Sequence, residues 1–589
     1  MIPGKETTVL PWRPLAMIGV LHVALVLWAA WAWINGPFQG AGVIDGAEIL
    51  ALAREGSVGP FETKSPLYPE LLGGLLGMTG EVPWTVALLG LAISLSLMVA
   101  IALVALRLAG PRASLAAAGL YALSGSVLAF AVQPLPTLLA TALLMWGALL
   151  ADEPGPARGR SRGFAILGGV LLAASFFARA SLLFAAVAFV AWAARKRPGV
   201  LFGALGGALL LGLFFGGRSL PEGGGLNLRL ANGAQRSGIC DLRPGPRYER
   251  LRWDSVASQS PDAPLGNLDR QQYELLVEEL VADPIGAATT VVRKALLFGQ
   301  RTELVASADF RHGLRRMPIV PLLLWSFALI APLAVVGLAR GRLRTNAILL
   351  ALLGILLANL LFAAAARYRF PALPFLCVAA GCALVTPWRK RDCALLAGTL
   401  LLFWPNWSGV QLTLPGDGLV QEGQLELERE RTSEAGRRAL EAAVELGDDP
   451  RAAYLLALCH EHRWQVTGDP DDLERSLRNY QLALERELDF PQAAENRVAL
   501  LMRAKRVTEA RAEALALLEQ VPRAALLHLN LSTMLADEGA AAEARRHAAL
   551  GHQGMALRAL SQNDVASARQ HAARARDLGV KDSRLDTAR

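Results

Sequence analysis

Asp45 stands just past the first long apolar stretch, in Val43-Ile-Asp-Gly-Ala-Glu-Ile49, and Glu48 follows three residues later. Acids at that spacing share one face of a helical turn. A carboxylate kept at the edge of a membrane bundle is costly, which points to function. It suits a general base that takes a proton from a hydroxyl arriving from water; the competing reading is an acidic loop residue capping a helix. Three cationic places stand apart from the other basic clusters: Lys64 in Lys64-Ser-Pro-Leu-Tyr-Pro69, Arg179, and the corner Arg367-Tyr-Arg369. Each alone is explained by snorkelling to lipid headgroups. Several converging on one carboxylate would form a bidentate site for a phosphate carried by a lipid. Positive charge then stabilises a phosphate leaving group while the carboxylate accepts the proton. Tyr68, Asn232 and Tyr368 are candidate substrate contacts beside them.

The elements that must position these residues are apolar helices. With 53% hydrophobic residues in long runs, the 589-residue chain reads as a polytopic helical membrane protein with soluble parts attached. About eleven spans are expected, at 14–35, 84–107, 113–132, 135–151, 164–177, 181–194, 199–217, 317–338, 346–363, 371–386 and 393–407. The stretch 164–194 reads either as one helix with Arg179 at its centre or as two short helices breaking there. The break gathers Arg107/Arg112, Arg158/Arg160/Arg162, Arg195/Lys196/Arg197, Arg340/Arg342/Arg344 and Arg389/Lys390/Arg391 on one side, which the positive-inside rule places in the cytoplasm. The outer loops 36–83 and 218–316, Arg179, Arg367 and Arg369 then face the other side, the periplasm of a bacterial inner membrane. An odd number of spans puts the tail there too. The last span is apolar over only about a dozen residues before Pro405, with Trp404 and Trp407 as interfacial anchors.

The net charge of +8 arises from these orienting clusters, so no nucleic-acid partner is expected. The five cysteines show no ligand spacing, and neither do the tail histidines, so no cofactor or metal site is expected. Within the outer loop, the glycines and amides of Gly223–Gly233 read as a polar turn or an ordinary loop. Tyr273–Gly299 reads as a helix on the membrane surface. The domain reading is a membrane domain at 1–410, a linker at 411–430 and a repeat domain at 431–589. In the last, Glu509-Ala-Arg511 recurs as Glu543-Ala-Arg545, a spacing that matches tetratricopeptide repeats. The alternative is an irregular helical bundle.

Taken in order, four pieces resemble the GT-C superfamily, specifically polyprenyl-phosphate-sugar glycosyltransferases of family 39 and the lipid A aminoarabinose transferase. They are Asp45-Gly-Ala-Glu-Ile49, Ser65-Pro-Leu-Tyr-Pro69, Leu226–Gly233 with Arg243-Pro-Gly245, and Arg367-Tyr-Arg-Phe-Pro-Ala-Leu-Pro374. The resemblance covers residues 14–407. It implies an all-α GT-C fold and a sugar moved from a polyprenyl-phosphate-linked donor in the membrane lipid to a periplasmic-side acceptor, a protein, lipid or glycan. It carries the catalytic acid onto Asp45, with Glu48 beside it, and the donor-phosphate contacts onto Arg367 and Arg369, with Lys64 and Arg179. This chain has Gly46 and Ile49 where the family often has Glu and an aromatic. The repeats would gather an acceptor or a partner protein, since stacked helix pairs form a concave surface. The rival readings are a non-catalytic scaffold presenting repeats and a transporter of lipid-linked sugars.

Overall fold

The computed structural model describes the chain except residues 1–9, 41–44, 56–65, 81, 153–159, 215–223, 234–237, 239–244, 263, 265, 301–308, 325, 341–345, 409–415, 522, 563 and 589. Every element among the described residues is helical. The chain forms two compact units: Met1–Asp241 with Leu280–Leu412, and Leu242–Glu279 with Thr413–Arg589.

In the first unit, Trp12–Ile34, Val82–Ala109 and Ala366–Val385 are each long and apolar enough to cross a membrane. Pro111–Ala122 and Gly125–Ala131 are long and apolar enough only when taken together, and are bent by 59° at the break between them. Shorter apolar helices of 10–17 residues fill the other expected spans between 137 and 361. The helix Arg160–Ala178 ends where expected: Arg179 is extended (φ −161°, ψ 109°), a single 3-10 turn follows, and Leu183–Ala194 resumes. Lipid gives no hydrophobic drive between helices, so association rests on close packing at small residues. Gly203 shows this, since a Cβ there would lie 2.0 Å from the Ile166 carbonyl oxygen of the neighbouring helix.

Two helices show which residues share an end of this bundle. In Thr137–Ala151, Thr137 meets Arg179 at the start, and the Leu149 carbonyl accepts from Arg107 near the finish. In the late span, Arg367 and Arg369 stand at the start, while the carbonyls of Ala383 and Thr386 near its finish accept from Arg340. The orienting arginines 107 and 340 therefore lie at the end opposite Arg179, Arg367 and Arg369. The last apolar helix, Lys390–Phe403, runs between the same ends. Its Asp392 pairs with Arg340 at 3.0 Å, and beyond its finish Pro405 and Asn406 accept from Gln300 at 3.0 and 3.1 Å.

The second unit is a stack of helix pairs. Helices begin at Pro491 and Ala525 and at Val507 and Ala541, a 34-residue repeat in each case. Alanines and leucines such as Ala493, Ala494, Ala510, Ala514, Leu527 and Leu531 form its shared core. Two features differ from the sequence reading. The stretch expected as a linker contains the helix Asp417–Arg429, which is part of the stack: Val420 packs on Ala443 and Ala452, and Asp417 takes Arg451 at 3.0 Å. The loop segment Leu242–Glu279, assigned from sequence to the membrane domain, belongs to this unit. The expected surface helix Tyr273–Gly299 is two helices, Leu268–Ala282 and Pro284–Gly299. Proline at 284 ends the first, and the Asp283 carboxylate caps the second by accepting from Gly286 N.

The tail histidines, patternless in sequence, pair in space. Nδ1 of His528 lies 2.9 Å from Nδ1 of His547, and Nδ1 of His552 lies 3.0 Å from Nδ1 of His571. Such a contact needs one nitrogen to donate and the other to accept, so each pair must hold a neutral acceptor ring. Burial, with the neighbouring ring second, pushes His528 down to about 4. A folded value below the unfolded 6.5 means the unfolded chain binds more protons, so stability falls as pH drops from 6.5 towards 4.

Two outcomes are expected. Thermal unfolding of the repeat unit should shift down by several degrees between pH 6.5 and 4, and His528→Gln should flatten that dependence. Gly203→Val should destabilise the solubilised protein by about 1–3 kcal/mol through overpacking, whereas Gly206→Val, with nothing within 4 Å, should not.

Candidate functional site

Three breaks in apolar helices meet at one end of the first unit. The helix Asp45–Glu55 begins at the acid itself. Its Gly46 is buried, and a Cβ there would stand 3.3 Å from Pro134 Cγ, so glycine lets the helix seat against the turn Gln133-Pro-Leu-Pro-Thr137. From Pro134 the chain reaches Thr137 within three residues, a span of at most about 11 Å. Thr137 Oγ1 accepts from Arg179 Nη1 at 2.6 Å, and Ser181 Oγ accepts from Arg179 Nε at 3.1 Å. The Arg179 guanidinium lies 4.9 Å from the centre of the Tyr368 ring, and that of Arg367 lies 5.4 Å from it. A ring between two guanidiniums binds both through its electron-rich faces. The structure thus brings the start of the acid helix, Arg179, Arg367 and Tyr368 into one region.

The corner that presents Tyr368 is pinned from several sides. Asn359 Nδ2 donates to the Tyr368 carbonyl at 3.0 Å. Phe370 packs on Phe130, with ring centres 4.7 Å apart. Arg369, 2% exposed, donates to the carbonyls of Gln300 at 2.5 Å and Phe298 at 3.4 Å and lies 4.0 Å from the Phe327 ring. Positive charge at the carboxyl end of Pro284–Gly299 also complements the helix dipole. Arg367 and Arg369, alike in the motif, therefore differ in the fold: one faces Tyr368, and the other holds the end of the loop helix.

The remaining expected residues divide as follows. Glu48 is exposed on the acid helix. Tyr68 is 3% exposed and packs with Leu50, Ala53, Leu72 and Val86, so its ring joins helices. The Gly-rich stretch expected as a turn is the helix Gly224–Asn232. Asn232 donates to the carbonyls of Leu361 and Phe362 at 3.0 and 3.3 Å and accepts from Lys294 at 2.6 Å. Lys64 and the side chain of Asp45 lie outside the described residues.

Three residues have places in the fold that the sequence reading did not give them. Lys294 is fully buried, its ammonium donating to Asn232 and to the carbonyls of Leu360 and Phe362. Thr137 is fully buried under Arg179. Gln133 is 5% exposed, and its amide nitrogen has no protein acceptor among the described residues. The signal for the last two was present: a polar residue between two spans, inside a proline-flanked break. Among the described residues no cluster of three or more metal-ligating side chains occurs.

No protein-family model and no curated protein sequence matches the chain. Solved structures are similar at low identity. ArnT from Cupriavidus metallidurans in the apo state is 13% identical, covering 79% of this chain and 75% of that one, with a TM-score of 0.37. The oligosaccharyltransferase AglB from Archaeoglobus fulgidus is 12% identical over 72% of this chain and 59% of that one, with a TM-score of 0.29. PilF from Pseudomonas aeruginosa is 19% identical over 29% of this chain and 79% of that one, with a TM-score of 0.20. The functional reading below rests on this chain's own residues.

Asn232→Ala should lower the melting temperature of the solubilised protein, because the buried Lys294 ammonium loses an acceptor; the expected cost is about 1–3 kcal/mol. Lys294→Met in the same background should add less than the two single effects combined.

Proposed function

We propose that the chain is an integral-membrane glycosyltransferase that moves a sugar from a polyprenyl-phosphate-linked donor to an acceptor on the outer face. The observation that carries this reading is the pair of guanidiniums, Arg179 and Arg367, on one tyrosine ring at the bundle end where the acid helix begins. In the reaction, Asp45 takes the proton of the acceptor hydroxyl. That oxygen forms its bond to the anomeric carbon as the bond from that carbon to the phosphate oxygen breaks. The in-line path inverts the anomeric centre. Arg367 and Arg179, with Lys64, hold the departing lipid phosphate through charge-assisted hydrogen bonds. Gln133 supplies an amide to the sugar, and Arg369 acts by positioning the corner.

The location of the site supports an outward-facing reaction. The orienting arginines 107 and 340 sit at the opposite bundle end, and the positive-inside rule puts that end in the cytoplasm. The site then opens to the periplasm of a bacterial inner membrane.

Asp45→Asn should lower transfer about 10²–10⁴-fold while leaving membrane insertion unchanged, and Glu48→Gln should have a much smaller effect. Arg179→Met and Arg367→Met should each weaken donor use, with inhibition by free polyprenyl phosphate lost in parallel. Full transfer by Asp45→Asn in purified protein, measured with a polyprenyl-phosphate sugar, would sink the role given to Asp45, and no transfer by the unaltered protein would favour the scaffold reading.

A further inference from the structure

The second unit holds a guest from its own chain. In the loop helix Pro246–Ala257, Val256 is fully buried among Ala556, Leu557, Leu560, Ala568 and Ala572 of the last two long helices, with Trp253 packed alongside. Arg252 Nε donates to the Ser561 carbonyl at 2.6 Å. Arg584, itself buried and paired with Asp582 at 2.7 Å, donates to the carbonyls of Val256 and Gln259, both at 3.4 Å. Ser583 N donates to the Pro261 carbonyl at 2.7 Å. The near end of the helix reaches other repeats: Glu249 accepts from Gln492, and Arg250 lies 3.5 Å from Asp489. The docked helix thus engages residues from 489 to 585. Between it and the repeats remains a cavity of about 280 Å³, walled by Tyr248, Arg252 and Trp253 on one side and by Arg523 and Arg558 on the other.

We propose that the repeats act in cis, as a clamp on the outer loop, and that the clamp conditions transfer by fixing the loop's course. This rests on the transferase reading above. Such a face is expected to recruit an acceptor or partner, but here the chain's own amphipathic helix already covers part of it. A partner reading the same residues must displace that helix. The clamped segment continues through Leu268–Ala282 directly into Pro284–Gly299, whose last carbonyls Arg369 holds and whose Lys294 anchors Asn232. Of the helices that follow the clamp along the chain, Pro284–Gly299 is the one held at the corner bearing Arg367 and Tyr368. An apolar anchor in a pocket, ringed by polar contacts, is how such helices gain affinity.

The test uses the full-length chain in membranes, with Glu249→Cys and Gln492→Cys introduced together and a specific protease site inserted at 409–415. After mild oxidation and cleavage, the tail should remain joined to the membrane fragment without reductant and separate with it. Val256→Asp should abolish that cross-link, expose the loop to trypsin, and lower transfer about tenfold. Absence of the cross-link in the otherwise unaltered chain would overturn the docking. A loop released by Val256→Asp with transfer undiminished would overturn the clamp's role. Failure of the transferase reading is told apart by Asp45→Asn, since the cross-link and trypsin protection do not depend on catalysis.

Discussion

A guanidinium more than nine-tenths buried needs acceptors for its donors and an answer to its charge. Arg179 has the first from Thr137 and Ser181, both neutral, and a partial form of the second from the face of Tyr368. Among the described residues no carboxylate pairs with it, and Arg367 faces the same ring. Two like charges near one ring repel, and the donor phosphate of the proposed reaction would offset that repulsion. Holding them there takes the rest of the unit: the break at 179, the proline-flanked turn at 133–137, and the corner at 366–372 pinned by Asn359, Phe130 and Arg369. Each pin is a hydrogen bond or ring contact from a different stretch of chain.

Sequence made the helices legible because their signal is local. Apolar runs, arginine clusters and the odd placement of Arg179 are read over windows of about twenty residues. The 34-residue repeat is visible for the same reason, since recurrence along the chain needs no fold. The site was legible in part. Asp45, Arg179 and Arg367 were found as charges at costly positions, and position relative to a span is also local. Their convergence, and the difference between Arg367 and Arg369, depend on contacts separated by up to about 190 residues. Nothing in Arg-Tyr-Arg says which guanidinium turns towards carbonyls. Tyr68 and Asn232 were attractive because polar groups beside membrane spans suggest ligands, but in the fold they join helices and satisfy carbonyls.

The tail shows where local reading stops. The period identified the stack, yet the stretch 417–429 was read as a linker because its charges mask a buried stripe of Val420 and Gln421. The histidines offered no ligand spacing along the chain. Their pairing two by two across helices is invisible until the helices are packed. The loop helix was hidden more deeply still. Its partners lie more than 230 residues away, and its pattern of Trp253 and Val256 among charges resembles any exposed amphipathic turn.

That same packing constrains the topology of the last short helix. Loop segment and tail belong to one compact unit, so they must lie on the same side of any membrane that the first unit spans. Between Glu279 and Thr413 the chain offers three apolar helices, in Ser326–Ala339, Asn346–Leu361 and Ala366–Val385, followed by the shorter helix Lys390–Phe403, expected from sequence as the last span. Four crossings return the chain to its starting side, and three do not. With the three preceding helices taken as crossings, as the sequence reading has them, a surface-lying Lys390–Phe403 would put Val256 and its alanine partners on opposite sides of the bilayer. The ends of that helix agree with the count, Asp392 pairing with Arg340 and Pro405 reaching Gln300 at the opposite end. At 14 residues the helix spans only about 21 Å, short of a typical hydrocarbon core. Local thinning of the bilayer and the interfacial rings of Trp404 and Trp407 accommodate such a mismatch at modest cost. Under the proposed topology the weakest apolar stretch is the one that a contact made well over a hundred residues away most constrains.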